Sequence, residues 1–158
     1  MAKQKLSLQQ LSEQDYEFRC SKTKMRSDYV IKNKFTDDTA NSLTKSIIAK
    51  LQLDGWQAER ISTTGRYIDD TKIVTDVMGY KKKIGSGKYI PGSGTKGSAD
   101  ISATIKGLSV KIEVKMKDVQ SEFQKVYQEN IERAGGIYFI ARDYDEFMMF
   151  YTNIVNPI

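Results

Sequence analysis

Two carboxylates and one amine, Asp100, Glu113 and Lys115, stand where strand geometry could bring them together. The stretch from Gly97 to Ile105 is followed by Lys106-Gly107 and then by Leu108 to Lys115. Side chains along a strand alternate between faces with period two. Ile101, Ala103 and Ile105 therefore share one face of a first strand, and Leu108, Val110, Ile112 and Val114 one face of a second. If Lys106-Gly107 is a two-residue turn, Ile105 pairs with Leu108, Ala103 with Val110 and Ile101 with Ile112, so apolar meets apolar. The same register sets Asp100 opposite Glu113, with Lys115 two residues further along the same face. Like charges opposed across a hairpin are destabilising by a few tenths to ~1 kcal/mol. A divalent cation would reverse that sign: Mg²⁺ is a hard ion that takes one or two carboxylates together with water and phosphate oxygens. A neighbouring lysine could then position a water or stabilise an anionic transition state. The alternative is a half-exposed hairpin whose charges are simply solvated.

Composition narrows the chemistry. The 158 residues suffice for one domain with its own core, and 39% hydrophobic with 28% charged residues is ordinary for a soluble globular chain. No histidine is present, which removes Ser-His-Asp and Cys-His nucleophiles and histidine-based nucleases. Structural zinc needs four Cys or His ligands, and only Cys20 exists, which also has no partner for an internal disulfide. Hydrolytic chemistry would have to rest on carboxylates, lysines, hydroxyls and a metal ion. No apolar run reaches the ~18 residues of a membrane span, and the N-terminus lacks the apolar stretch of a signal peptide. A cytoplasmic protein with no membrane partner is expected. The net charge of +5 suits a polyanion such as nucleic acid. Lys22, Lys24, Arg26, Lys32 and Lys34 cluster near the N-terminus, and Lys81, Lys82, Lys83 and Lys88 in a glycine-rich stretch. Each cluster either solvates the surface or touches phosphate.

The elements that must position the hairpin follow from hydrophobic periodicity. Residues 1–35 are polar, with a short helix near Ser7–Phe18, and are expected to form a basic arm or peripheral wrap. The domain proper runs from 36 to 158. Leu43, Ile47, Ile48 and Leu51 recur at helical spacing after the N-cap candidates Asp37, Asp38 and Thr39, and Gly55 stops the helix. Trp56–Ser62 reads as a strand. Ile73–Met78 reads as another, with Gly79-Tyr80 as a turn and Lys81–Ile84 as its returning partner. Gly85 to Gly97 reads as loop, and no Walker phosphate loop is present, since Tyr89 follows Gly87-Lys88. After the hairpin, Phe123, Val126, Tyr127, Ile131 and Ala134 mark an amphipathic helix. Ser121 and Gln124 fit its capping box, and Gly135-Gly136 ends it. Ile137–Ala141 suits a buried strand. Asp143–Ile154 suits a last helix whose Phe147, Phe150, Tyr151 and Ile154 read as core rather than as a base-stacking platform. The order is that of one α/β domain with a mixed sheet flanked by helices. A crossover through the Phe123 helix allows its flanking strands to run parallel.

Four stretches in this order carry a resemblance: Asn41 to Leu51 running on to Gly55, Trp56 and Arg60; Gly97 to Ile101; Ile112 to Lys115; and Ser121 to Gln124 followed by Ala134 to Ala141. Together they resemble the virus-type replication-repair nuclease (VRR-NUC) family of the PD-(D/E)XK nucleases, over residues 38 to 147. The resemblance implies a restriction-endonuclease-like core in αβββαβ order and metal-dependent endonucleolytic cleavage of DNA. It implies Asp100, Glu113 and the Val114 carbonyl as ligands of Mg²⁺ or Mn²⁺. Lys115 would orient the attacking water or stabilise the developing charge, and Gln124 would face the same site. Arg60, Arg66 and Thr95 would lie near the scissile phosphate, and Lys96, Ser98 and the Lys81–Lys83 and Lys88 cluster would complete the DNA-facing set. Branched DNA and a junction-resolvase-like homodimer, acting in replication, recombination or repair, are implied at the same level. There is one departure. Related nucleases often carry a glutamate on the first helix, where this chain has Asn41. A neutral ligand, a substitute acid such as Glu59, or weak activity would each account for it. The last of these describes a nuclease-fold module that binds DNA or assembles with little catalysis.

Overall fold

The computed structural model describes residues 5–24, 26–63, 65–92 and 94–157. In chain order the elements are α1 (Leu6–Lys22), a single 3-10 turn (Ser27–Tyr29), α2 (Ala40–Leu53), β1 (Gln57–Arg60), β2 (Arg66–Asp69), β3 (Lys72–Thr75), β4 (Lys81–Ile84), β5 (Gly87–Ile90), β6 (Ile101–Ile105), β7 (Leu108–Val114), α3 (Glu122–Arg133), β8 (Ile137–Ala141) and α4 (Tyr144–Val155). The described residues fall into two compact units, those within Met1–Ile61 and Gly97–Ile158 and those within Ser62–Lys96.

The larger unit is an α/β structure built on a mixed sheet in the order β1-β6-β7-β8. The first three strands are antiparallel neighbours, and β8 joins β7 in parallel through α3. The β6–β7 hairpin has the register expected from apolar matching: Ile101↔Ile112, Ala103↔Val110 and Ile105↔Leu108. Its turn places both central residues at positive φ, Lys106 at 50° and Gly107 at 81°, the backbone of a two-residue turn that follows the right-handed strand twist. One sheet face is apolar. Ile101, Ala103, Ile105, Val110, Ile112, Val114 and Ala141 are buried there with Leu43, Ile47 and Leu51 of α2 and Phe147 and Tyr151 of α4. Phe139 of β8 stacks on Phe150 of α4, with centroids 3.9 Å apart, so the α4 aromatics serve the core. Thr39 caps α2 in a reciprocal box with Ser42, and Asp143 caps α4 through the Glu146 N–H.

Three expectations are corrected. Residues 6–22 are not a loose arm. They form a 17-residue helix whose Leu8 and Leu11 are 2% and 1% exposed within the core, each burial worth roughly 1.5–3 kcal/mol. Lys5 adds an anchor, pairing with Asp37, Asp143 and Asp145. The part of the arm expected over residues 1–4 lies outside the described residues. Second, the apolar stripe of α3 is not a core face. Phe123 and Val126 are 53% and 55% exposed, and no residue of α3 is buried. Only its inner edge packs: Tyr127 meets the Tyr138 ring and Ile131 lies against Gly136, both half-buried. Third, the glycine-rich stretch is not all loop, because Gly87–Ile90 is strand β5, paired with β2.

The smaller unit consists of two antiparallel pairs, β2 with β5 and β3 with β4. The hairpin expected between Ile73 and Ile84 is β3–β4, closed by the turn Asp76–Tyr80.

Candidate active site

Strand alternation builds the site on the sheet face opposite the core. Ile112 and Val114 point into the core, so Glu113 between them points the other way, and Lys111 and Lys115 share its side. The register carries this across the sheet. Glu59 of β1 pairs with Ser102 of β6, Ser102 with Lys111 of β7, and Lys111 with Tyr138 of β8. These four form one polar row. Asp100 and Glu113 occupy the next position along, at the end where Ile61 N donates to the Asp100 carbonyl.

Glu113 is the centre of the arrangement. It is 3% exposed, a nearly complete burial for a carboxylate. Its Oε1 accepts from Gln124 Nε2 at 2.5 Å and lies 3.3 Å from Lys115 Nζ. Its Oε2 is buried and has no hydrogen bond of normal geometry, with the Asp100 backbone N–H beside the carboxylate. Burial, and next the charge of Asp100, raise its pKa above the ordinary glutamate value, while Lys115 pulls the other way. Asp100 reaches across the hairpin end: its Oδ2 accepts from the Val114 N–H at 2.9 Å. A strand residue in regular geometry turns its N–H and C=O to the same edge, which would turn the Val114 carbonyl toward that edge as well. The ladder itself stops at Ile101↔Ile112, and the expected Asp100–Glu113 opposition takes the form of this side-chain bond one position beyond it.

Gln124 bonds in two directions. Its Oε1 accepts from the Ser121 N–H in the capping box of α3, and its Nε2 donates to Glu113. The helix start is held against the site by Gly97. At φ 82°, an added Cβ there would stand 2.4 Å from the Phe123 carbonyl oxygen and 2.9 Å from Gln124 N, so only glycine lets the segment leading to Asp100 pass this close. Ser98 follows, with its Oγ buried and without a partner.

Tyr138 was not singled out by the sequence, and neither was Lys111. The Tyr138 hydroxyl is buried, with the Gln120 side chain beside it but no hydrogen bond of normal geometry. Its pKa is pushed up to about 12 by burial and by the charge of Glu113. Tyr127 of α3 meets the ring edge-on, with centroids 6.3 Å apart. Lys111 Nζ donates to Ser102 Oγ at 2.5 Å. Period-two alternation from Glu113 would have found Lys111. Tyr138 depends on the β7–β8 register, which no local pattern encodes.

Among the described residues, the buried side-chain oxygens lacking a partner are those of Ser98, Glu113 and Tyr138. An orphaned buried polar atom costs about 1–3 kcal/mol. Three of them around the start of α3 mark a place built for something polar. Asp100, Glu113 Oε2 and the Val114 carbonyl offer only hard oxygen donors, a set suited to a divalent ion that retains waters and takes phosphate oxygens. No group of three or more acidic, Cys or His side chains able to hold a metal occurs among the described residues.

The other expected residues have these places in the fold. Asn41 spends its carbonyl oxygen on Arg60, whose Nη2 donates to it at 2.8 Å, so each of these two predicted site residues is the other's partner. Glu59, by contrast, stands on the polar face opposite Ser102. Arg66, Lys81, Lys82, Lys83, Lys88, Thr95 and Lys96 belong to the smaller unit. No helix among the described residues is long and apolar enough to cross a membrane. No family model, curated protein or solved structure matches the chain.

Proposed function

We propose that the chain is a divalent-metal-dependent DNA endonuclease of the PD-(D/E)XK type, similar to the VRR-NUC family. The observation that carries this reading is the buried Glu113, held through one oxygen by Gln124 and Lys115 and presenting the other, with no hydrogen bond of normal geometry, beside Asp100. A buried carboxylate with a raised pKa next to a second carboxylate is costly for a structural residue and useful for an ion-binding one. The sheet order, with a helix before it and a crossover helix leading to a parallel strand, supports the same reading.

Asp100, Glu113 Oε2 and the Val114 carbonyl would hold Mg²⁺ or Mn²⁺. Such an ion polarises a phosphoryl oxygen and lowers the pKa of its water. Gln124 fixes the rotamer of Glu113 through Oε1 and thereby aims Oε2. Lys115, 16% exposed at its side chain and 3.3 Å from Glu113 Oε1, keeps its ammonium at the carboxylate pair, where it can orient the attacking water and offset charge that builds on the phosphate. Glu59 is the better placed substitute for the missing first-helix acid, because Asn41 is committed to Arg60. A branched substrate and a two-fold symmetric pair of copies belong to this proposal through the family resemblance.

The test is cleavage of labelled four-way junction, flap, duplex and single-stranded DNA with Mg²⁺ or Mn²⁺. Cutting that requires metal and disappears in Asp100→Ala and Lys115→Ala is expected; equal cutting by those variants, or none by the wild type, overturns the reading. One observation favours a second reading, a nuclease-fold module that binds DNA without cutting. The Asn41–Arg60 hydrogen bond removes the first-helix group from the ligand set. That module would bind DNA and show no metal-dependent cleavage.

A further inference from the structure

The smaller unit has a geometry of its own. In the β2–β5 ladder Arg66 pairs with Ile90 and Asp69 with Gly87; in the β3–β4 ladder Lys72 pairs with Ile84 and Thr75 with Lys81. Asp70 and Thr71 on one side match Ser86 and Gly85 on the other, so the second ladder resumes in the register of the first. The two pairs are the segments of one two-stranded ribbon from Arg66 to Ile90, interrupted at Asp70-Thr71 and Gly85-Ser86, where Gly85 takes φ 94°; each strand side would span about 33 Å at ~3.3 Å per residue. Its tip is a built turn. Asp76 Oδ1 accepts from the N–H groups of Met78 and Tyr80, both at 2.9 Å, and Asp76 N donates to the Tyr80 carbonyl. This turn presents Val77 and Met78 at 103% and 77% exposure.

No residue of the four ribbon strands is buried, and an isolated two-stranded hairpin is marginal in water. Exposed Ile73, Val77 and Met78 are not accounted for by packing. Charge says what would cover them. Residues 62–96 hold seven Lys and Arg against three Asp, while the rest of the chain holds eighteen against seventeen acids. Nearly all the net positive charge of the chain lies on this ribbon and its flanks. A second copy is a poor occupant, because the consecutive Lys81, Lys82 and Lys83 fill three of the four positions of β4, and lysines on an edge strand oppose edge-to-edge pairing.

We propose that the Arg66–Ile90 ribbon is a duplex-DNA-gripping element that lies in a groove of B-form DNA, with its lysines on the phosphates and the Val77–Met78 tip against the groove wall. The B-form major groove, about 12 Å wide, admits a two-stranded ribbon, whereas the major groove of A-form RNA is too narrow for side-chain readout. The proposal shares the DNA partner of the nuclease reading but rests on different residues, and stands or falls separately.

The test is fluorescence anisotropy with the full chain in EDTA, so that binding is read without cleavage, using labelled DNA duplex, single-stranded DNA and RNA duplex. The Lys81→Gln/Lys82→Gln/Lys83→Gln variant is expected to lose at least about tenfold in duplex-DNA affinity near 0.1 M salt. Its log–log salt slope should be shallower by about two to three, as expected for three lost phosphate contacts. Val77→Ser/Met78→Ser should weaken binding with the salt slope unchanged. Wild-type affinity and slope in the triple variant overturn the proposal. So does preference for RNA duplex, or a concentration-dependent dimer in sedimentation that the tip variant abolishes. Thermal melting of each variant separates lost contacts from lost folding. Metal-dependent cleavage by the wild type bears on the nuclease reading alone, whatever the ribbon variants show.

Discussion

The two faces of the four-stranded sheet are made by the same strands and follow opposite rules. On one face Ile101, Ala103, Ile105, Val110, Ile112 and Val114 are buried beneath helices in one apolar cluster. On the other, Glu59, Ser102, Lys111, Glu113 and Tyr138 lie in register, partly roofed by a helix with no buried residue of its own, and buried oxygens there lack partners. The first face stabilises the fold at the expense of nothing polar. The second retains orphaned groups and a repulsive carboxylate pair that a purely structural sheet would not need. Substitution of neighbouring residues in β7 should therefore have opposite consequences depending on which face they occupy.

The largest effect is expected on the polar face and in activity. Lys115→Ala should reduce DNA cleavage by roughly 10²–10³-fold, the scale for losing one group that stabilises transition-state charge, and should also lower the melting temperature, because it strips the buried Glu113 of its counter-charge; single-turnover rates and thermal melts give the two readings. Cleavage within a few-fold of wild type would break the comparison. Next comes the apolar face. Ile112→Ala should cost about 2–5 kcal/mol of stability by opening a cavity under α2 and α4, measured by denaturant unfolding. Its neighbour Glu113→Gln should be neutral or stabilising in the same experiment, because it removes a buried charge facing Asp100.

An intermediate effect belongs to the joint between the Asp100 segment and α3. Gly97→Ala places a methyl against the Phe123 carbonyl at a positive φ and should cost ~1–3 kcal/mol. Displacing the start of α3 also breaks the Gln124–Glu113 bond, so cleavage should fall more steeply than stability. Equal losses in both would mean that Gln124 only caps its helix.

The smallest effect is on pH dependence. The folded-state pKa of Glu113 lies above the ordinary value of 4.5, so the folded state binds more protons than the unfolded state between those two values. Its contribution to stability is favourable at the acid end and is lost as pH rises through that window. Wild type and Glu113→Gln should show the same stability near pH 4 and diverge above it, the wild type falling below the variant. A divalent cation should close the gap at neutral pH and leave the acid end unchanged. A pH-independent difference would locate the effect in packing instead.

What the sequence disclosed and what it hid follow the range of the interactions. The hairpin register, its turn and the capping boxes depend on residues a few positions apart, and the alternation of Ile112, Glu113 and Val114 states which side chains face the core. The helix near Ser7–Phe18 was legible, but its docking was not, because only Leu8 and Leu11 of the seventeen residues of α1 enter the core, too sparse a pattern to show as a stripe. The base of the ribbon, β2 with β5, was missed because Gly85 and Gly87 read as loop and because the partner of β5, Arg66–Asp69, lies about twenty residues upstream. Tyr138 was missed because parallel pairing through a helix leaves no local trace of its register. The partnership of Asn41 with Arg60 joins a helix start to a strand end and redirects two expected site residues to each other.

The central claim is that Asp100 and Glu113 share one divalent cation. Calorimetric titration of the wild type with Mn²⁺ at neutral pH, alongside Glu113→Gln, tests it most directly. One saturable site in the wild type that is lost in the variant is the predicted result. No binding by the wild type, or equal binding by the variant, would contradict it.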